Sequence, residues 1–344
     1  MKRNIFSVFS CGLLSLGIAL AFTSCKNGDV SFPDYEGGTT VYFPYQYPVR
    51  TIVLGDDEYD TTLDKAHQCQ IKATFGGSYN GSNGSVQVEI DERLCENLFF
   101  EDGVTPVKPM KREFYTLSTT NLEFNGTMNG STTVQLTDKF FDDPDAVKNT
   151  WVIPLVMVSQ SGFGKILTGK YNEGMSGSRT DESLWDIKPM DYVLYCVKFQ
   201  NKYSGWWLTN GNTSIDNIEQ ASTVQISTTS MNSASYTVSF KEGNVIYNAE
   251  LILTFDGSDN CTIKLGGATK TVEKEVIKVE GGSADGNGNF QDDGAKKAWG
   301  NKDRDRMELS YNVTLEGHTW SVHEVLVWQR SGVSLEEFAP VYVK

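Results

Sequence analysis

Histidine is scarce in this chain, with 3 among 344 residues, and its 6 cysteines show no C-x-x-C spacing. That removes the usual ligand sets for a structural zinc ion. Positive charge is also short. Lys and Arg number 30 against 44 Asp and Glu, a net charge of −14, and no basic cluster is interleaved with aromatics. A phosphate backbone would be repelled, so no nucleic-acid partner is expected. No apolar run beyond residue 22 approaches the roughly 20 residues a spanning helix needs. The common catalytic signatures are missing too: no H-E-x-x-H, no G-x-S-x-G and no P-loop. Acidic residues abound, but Asp56-Asp57-Glu58, Asp142-Asp143 and Glu336-Glu337 read as turns and solvated faces. Asp285-Gly286-Asn287-Gly288-Asn289 begins like a calcium loop. It then places Phe290 where the sharp-turn glycine belongs and Lys296 where the bidentate glutamate belongs. The expectation is a chain with no catalytic residue, no cofactor and no metal, and not an enzyme.

What is present begins at the amino end. Met1-Lys2-Arg3 precedes an apolar run over residues 12–22, which ends in Phe22-Thr23-Ser24-Cys25. This reads as a secretory signal over residues 1–24, cleaved before Cys25, with lipid then attached to Cys25. Ala19-Leu20-Ala21 offers a second cleavage site that would release a lipid-free chain. Residues 25–38 form a polar tether, and the acyl chains would be the only contact with a membrane. Four cysteines remain beyond the anchor. Cys69 shares a strand face with Ile71, Ala73 and Phe75, and Cys261 shares one with Ile263 and Leu265. Both suit buried thiols, although an exported chain also allows disulfides in three connectivities.

The rest of the chain has a β texture. Short runs rich in Val, Ile, Thr, Tyr and Phe alternate with Gly/Asn/Ser clusters such as Asn125-Gly126-Thr127-Met128-Asn129-Gly130. About seven strands over residues 39–160 predict an immunoglobulin-like sandwich. Residues 161–188 turn polar and predict a linker. About nine further strands over residues 189–344 predict a jelly-roll-like sandwich. The fold class is therefore all-β, with two β-sandwich domains.

One run is distinctive: Thr40-Val41-Tyr42-Phe43-Pro44-Tyr45-Gln46-Tyr47-Pro48-Val49-Arg50-Thr51-Ile52-Val53-Leu54-Gly55, followed by Tyr59-Asp60, Leu63-Asp64 and the Gly76-Gly77 turn. It resembles the N-terminal immunoglobulin-like domain of Bacteroidetes outer-membrane lipoproteins from polysaccharide-utilisation systems. Tyr192-Val193-Leu194-Tyr195-Cys196-Val197-Lys198, Trp299-Gly300 and the ending Leu326-Val327 to Arg330 resemble, more loosely, the usual C-terminal partner. The resemblance implies a cell-surface, lipid-anchored protein of the outer membrane. It would hold a polysaccharide beside a porin-type importer and that importer's binding lipoprotein. Some relatives join the same N-terminal domain to a glycosidase barrel; this chain lacks that barrel's D-x-x-D-x-D-x-E motif. A scaffold lipoprotein with no sugar site is the alternative, and a glycan-active enzyme a more distant one.

Sugar recognition needs an exposed aromatic platform with hydrogen-bonding groups beside it. Neighbours in a strand face opposite ways, so the pair Trp206-Trp207 forces one indole outward. Trp207 is assigned to the core and Trp206 to the surface, where it either binds glycan or packs on the first domain. Trp299 ends a polar loop ahead of Lys302-Asp303-Arg304-Asp305-Arg306. The expected glycan site is Trp206 and Trp299, helped by Arg304 and Tyr203.

Overall fold

The computed structural model describes residues 33–213 and 220–344, with the side chains of residues 210–221 and of Trp299 outside the described set. The leader, Cys25 and most of the tether lie outside the described residues. Within them the chain is nearly all β, in two domains.

The first domain is a sandwich. One sheet runs, in spatial order, Lys165–Ile166, Thr40–Tyr42, Gln68–Gly76, Asn129–Leu136 and Tyr115–Leu117. The facing sheet runs Glu336–Glu337, Pro48–Val53, Tyr192–Gln200, Trp151–Ser161, Ser85–Ile90 and Asn121–Glu123. Phe43, Ile71, Phe75, Phe124, Ile153 and Val193 fill the space between them. A second cluster covers the outer face of the second sheet, where Val49, Leu98, Val152, Val156, Leu194 and Phe338 pack together. Trp151–Ser161 and Tyr192–Gln200 are thus buried on both sides. That is why Val152-Ile153-Pro154-Leu155-Val156-Met157 and Tyr192-Val193-Leu194 run apolar without alternation.

This placement corrects the expected boundary. Residues 161–188 are not a linker between domains, and the second domain does not begin at residue 189. Tyr192–Gln200 pairs with both Trp151–Ser161 and Pro48–Val53 inside the first domain. The polar stretch is a surface excursion of that domain. It is pinned by the Tyr171–Trp185 stack at 3.8 Å and by Arg179 on the fully buried Asp191. Its composition marks a long loop, which reads like a linker because both lack a core-facing stripe. The chain leaves the sandwich at Asn201.

The second domain is a closed sheet. Gly205–Thr213, Gln220–Ser230, Ser233–Glu242, Val245–Phe255, Asn260–Val272, Ser283–Ala295, Arg304–Leu315 and His318–Arg330 follow one another around it, with the short Glu275–Lys278 added at Asn260–Val272. The first strand pairs with the last, Trp207 opposite Trp328, which closes the ring. Each strand neighbours the next in sequence, so the connectivity is that of an up-and-down barrel, whereas a jelly roll would cross between sheets. The tight hairpins at Met231-Asn232, Gly243-Asn244 and Glu316-Gly317 leave no chain for a crossing.

A barrel of this strand number has room for side chains and little else. Alternate residues point in, as in Arg304–Leu315 and His318–Arg330. Trp207, Phe240, Trp320, Trp328, Phe290 and Phe255 form much of the interior. Gly286 and Gly288, in the run that begins like a calcium loop, sit within a central strand, paired on both sides. A Cβ on Gly288 would lie 2.4 Å from the Glu308 carbonyl and 2.5 Å from Leu309, so glycine lets that strand approach its neighbour. Cys69, Cys95, Cys196 and Cys261 are all free and buried. Burial pushes the Cys69 and Cys261 thiols up to about 12.

The inward face also carries charge. Glu324 is 4% exposed. It accepts hydrogen bonds from Thr209 at 2.7 Å, Tyr236 at 3.0 Å and Tyr311 at 2.8 Å. Burial raises its pKa despite these three donors. The sign follows directly: the unfolded chain ionises near the ordinary value of about 4.3, the folded one only at higher pH, so stability falls as pH rises across that window. Gln at this position can accept from Thr209 and Tyr236 through its oxygen and donate to Tyr311. Glu324→Gln should therefore gain stability relative to wild type between about pH 4 and pH 7, measured by urea unfolding at both. A wild type that gained on the variant over that range would show the buried charge to be net favourable.

Candidate functional site

The two domains meet along a seam that the chain crosses twice. The outward crossing is welded by Asn201, 2% exposed. Its side chain donates to the carbonyls of Ser230 and Ser233 at 2.8 and 2.9 Å and accepts from the Ser204 hydroxyl at 2.8 Å. Just beyond it, Tyr203 lies flat on Phe255 at 3.6 Å, edge-on to Phe290, and its hydroxyl donates to Asp259 at 2.7 Å. The return crossing is a strap. Gln200 donates to the Ser331 carbonyl at 3.1 Å and Ser331 donates to Asp57 at 2.8 Å. Glu336 then takes Lys198 at 2.8 Å and Asn149 at 2.9 Å. Phe338 seats between Tyr47 and Phe100.

Barrel closure sets the outer wall beside this strap. Trp206 stands between Gln225 on one neighbouring strand and Arg330 on the other. Paired residues share a face, and Trp207 is fully buried, so this row of carboxamide, indole and guanidinium faces outward. Trp206 is half-buried and the other two are exposed. The Arg330 guanidinium lies 5.4 Å from the Trp206 ring centre, close enough for a cation–π contact. No carboxylate pairs with Arg330 among the described residues, although the chain is rich in them. Beside the row a cleft of about 240 Å³ opens along the strap, lined by Lys198, Gln225, Ser227, Ser331, Ser334 and Glu336. Its walls are mainly hydroxyls, amides and one half-buried ion pair, with Val147, Phe199, Ile226 and Val333 between them. That lining suits a neutral polyhydroxylated ligand; the Trp206 indole is not part of it and lies next to Gly332, which is.

The four residues grouped by sequence have different surroundings. Trp206 faces outward as assigned, and Trp207 fills the core. Tyr203 is a correction: it is 6% exposed, with its ring stacked and its hydroxyl taken, because the chain entering the barrel needs a lid on that end. Arg304 is half-buried at the same end of the barrel, its guanidinium 5.6 Å from the inward-facing Trp328 ring. The Trp299 backbone forms a short 3-10 turn with Gly300 and Asn301; its side chain is outside the described residues. Arg330 and Gln225 were missed. Their signal is register, which places them opposite Trp206 only once the strands are paired.

No functionally curated protein matches the chain. A family model described as a domain of unknown function, DUF5627, matches residues 202–332, the span of the barrel, and a model for an N-terminal domain matches residues 35–164. A crystal structure of a Bacteroides ovatus protein of unknown function is 31% identical, with a TM-score of 0.76 over 90% of this chain and 100% of that one. A Bacteroides ovatus multidomain protein including DUF1735 is 9% identical, with a TM-score of 0.36 over 84% and 93% of the two chains. Another Bacteroides ovatus protein of unknown function is 11% identical, at 0.34 over 76% and 82%. The last two likenesses are too weak to bear on the fold.

The strap depends on Gly332, whose φ is +78°. A Cβ there would come within 2.7 Å of the Trp206 indole. Gly332→Ala should cost about 1–3 kcal/mol through backbone strain and this clash. It should also shift the emission of the displaced indole. Thermal unfolding with tryptophan fluorescence measures both, and an unchanged melting temperature would show that the strap is not seated on Trp206.

Proposed function

We propose that this chain, which belongs to the same family as the 31%-identical Bacteroides ovatus protein, is a non-catalytic glycan-binding lipoprotein. Tethered through Cys25 to the outer membrane and facing the cell surface, it holds polysaccharide for a porin-type importer and that importer's binding lipoprotein. The observation that carries the reading is the outward row of Gln225, Trp206 and Arg330 beside a polar cleft. A sugar's C–H face stacks on the indole, and Gln225 and Arg330 reach its hydroxyls. Single-site affinity is weak, and many anchored copies on one membrane raise avidity.

A scaffold role has its own support. Tyr59 and Leu335 are 77% and 80% exposed, and both line a hollow of about 430 Å³ on the seam. Exposed apolar side chains of that size suit a protein partner.

Affinity electrophoresis against a panel of polysaccharides separates the two readings. Wild type should be retarded by at least one glycan. Trp206→Ala should lose that retardation, since a stacked ring is worth about 1–3 kcal/mol where bases stack on aromatics. Its melting temperature should move little, unlike that of a core tryptophan, whose loss costs about 3–5 kcal/mol. Retardation that survives in the variant would move recognition away from this row, and no retardation by any glycan would favour the scaffold.

A further inference from the structure

The strap has two sides. Thr51, Val333 and Ser334 line both the cleft beside Trp206 and the hollow of about 430 Å³ that holds Tyr59. The cleft and the hollow are therefore neighbours across one thin wall. Gly332 lies against the Trp206 indole, and Leu335 lines the hollow. Even fully extended, the backbone between those two residues spans at most about 11 Å.

The hollow repeats the chemistry of the outward row, which offers an aromatic ring, a guanidinium and a side-chain acceptor. Here the ring is Tyr59, 77% exposed, and its hydroxyl has no partner among the described residues. The guanidinium is Arg50. Its Nη2 donates to Asp64, which is 2% exposed and also accepts from the Val53 amide at 3.0 Å. That pair fixes the guanidinium head, and its other donors have no partner among the described residues. The acceptor is Asp60. One of its oxygens takes both the amide and the hydroxyl of Thr62, at 2.9 and 2.5 Å. The other oxygen has no donor among the described residues. Asp57 is spent on the Ser331 hydroxyl at 2.8 Å and so holds the strap between the two sides.

A polysaccharide repeats one unit along its length. A surface that binds its interior can therefore repeat one set of contacts along the same path. Both rings reach solvent, so a long polymer can touch each in turn. Resting on the glycan reading above, we propose that the Tyr59 hollow is a second sugar subsite and that the ligand is an internal stretch of a long polysaccharide lying across the strap. One sugar stacks on Trp206 and a later one on Tyr59, where Arg50 donates to its hydroxyls and Asp60 accepts from them. Each contact alone is weak, and joining the two on one polymer multiplies their effect.

The probes are amylopectin, xylan, mannan and laminarin, followed by the disaccharide and hexasaccharide cut from whichever binds, titrated calorimetrically into the full chain. Wild type should bind the hexasaccharide more tightly than the disaccharide. Tyr59→Ala changes an exposed side chain and should leave the melting temperature alone. It should weaken the hexasaccharide about 5-fold to 100-fold and leave the disaccharide, held at Trp206, unchanged. Tyr59→Phe keeps the ring and should bind as wild type does, while Trp206→Ala should weaken both sugars. If Trp206→Ala loses binding and Tyr59→Ala does not, or if Tyr59→Ala weakens both sugars equally, the second subsite falls and the glycan reading stands. That first pattern is also the one expected if the hollow seats a protein partner instead. No binding of any probe by wild type would overturn both.

Discussion

The pairing of Gly205–Thr213 with His318–Arg330 is the constraint on which the rest depends. A meander sheet buries one face only if it closes or packs against another layer. Here it closes, and closure brings the first and last barrel strands side by side. Entry and exit therefore lie together, and the chain must cross to the sandwich twice at one end. Each feature of the seam follows from that. Asn201 and Tyr203 cap the way in, residues 331–337 form the way out, and Trp206 and Arg330 meet because one opens the barrel and the other ends it.

Magnitudes show what holds the strap in place. The Lys198–Glu336 pair is partly exposed, at 21% and 39%, and pairs of that kind contribute at most about 1 kcal/mol. Phe338 is 3% exposed between two rings. Burying such a side chain is worth about 1.5–3 kcal/mol. The anchor is chiefly apolar, and Glu336 mainly sets register through its pairing with Val49. Inside the barrel the balance differs. Glu324 uses three hydroxyls to offset its burial, while the indole nitrogens of Trp207 and Trp320 have no partner at all. These interior polar groups cost stability on the present contacts.

Sequence patterning carried the fold class, because strand alternation and turn residues are local signals. It also placed Trp207 inward and Trp206 outward, since that rests on alternation alone. It failed where the answer lies in pairing. Tyr192–Gln200 reads as the start of a domain until its partners Pro48–Val53 and Trp151–Ser161 are known. The jelly-roll expectation counted Tyr192–Gln200 into the second domain, left Ser283–Ala295 as loop, and could not see strand order, although the two-residue hairpins were visible. Tyr203, a tyrosine in a polar turn, looked exposed; only the barrel end reveals what its ring covers. The local calcium-like run at Asp285 is a strand.

Glycan recognition is proposed on the barrel's outer wall at the seam. A crystal structure of the chain with an oligosaccharide cut from a polysaccharide that retards it tests this most directly. The expected result is a sugar ring stacked against Trp206, with Gln225 or Arg330 on its hydroxyls. Sugar bound in the sandwich domain, or at the far end of the barrel with Trp206 untouched, would contradict it.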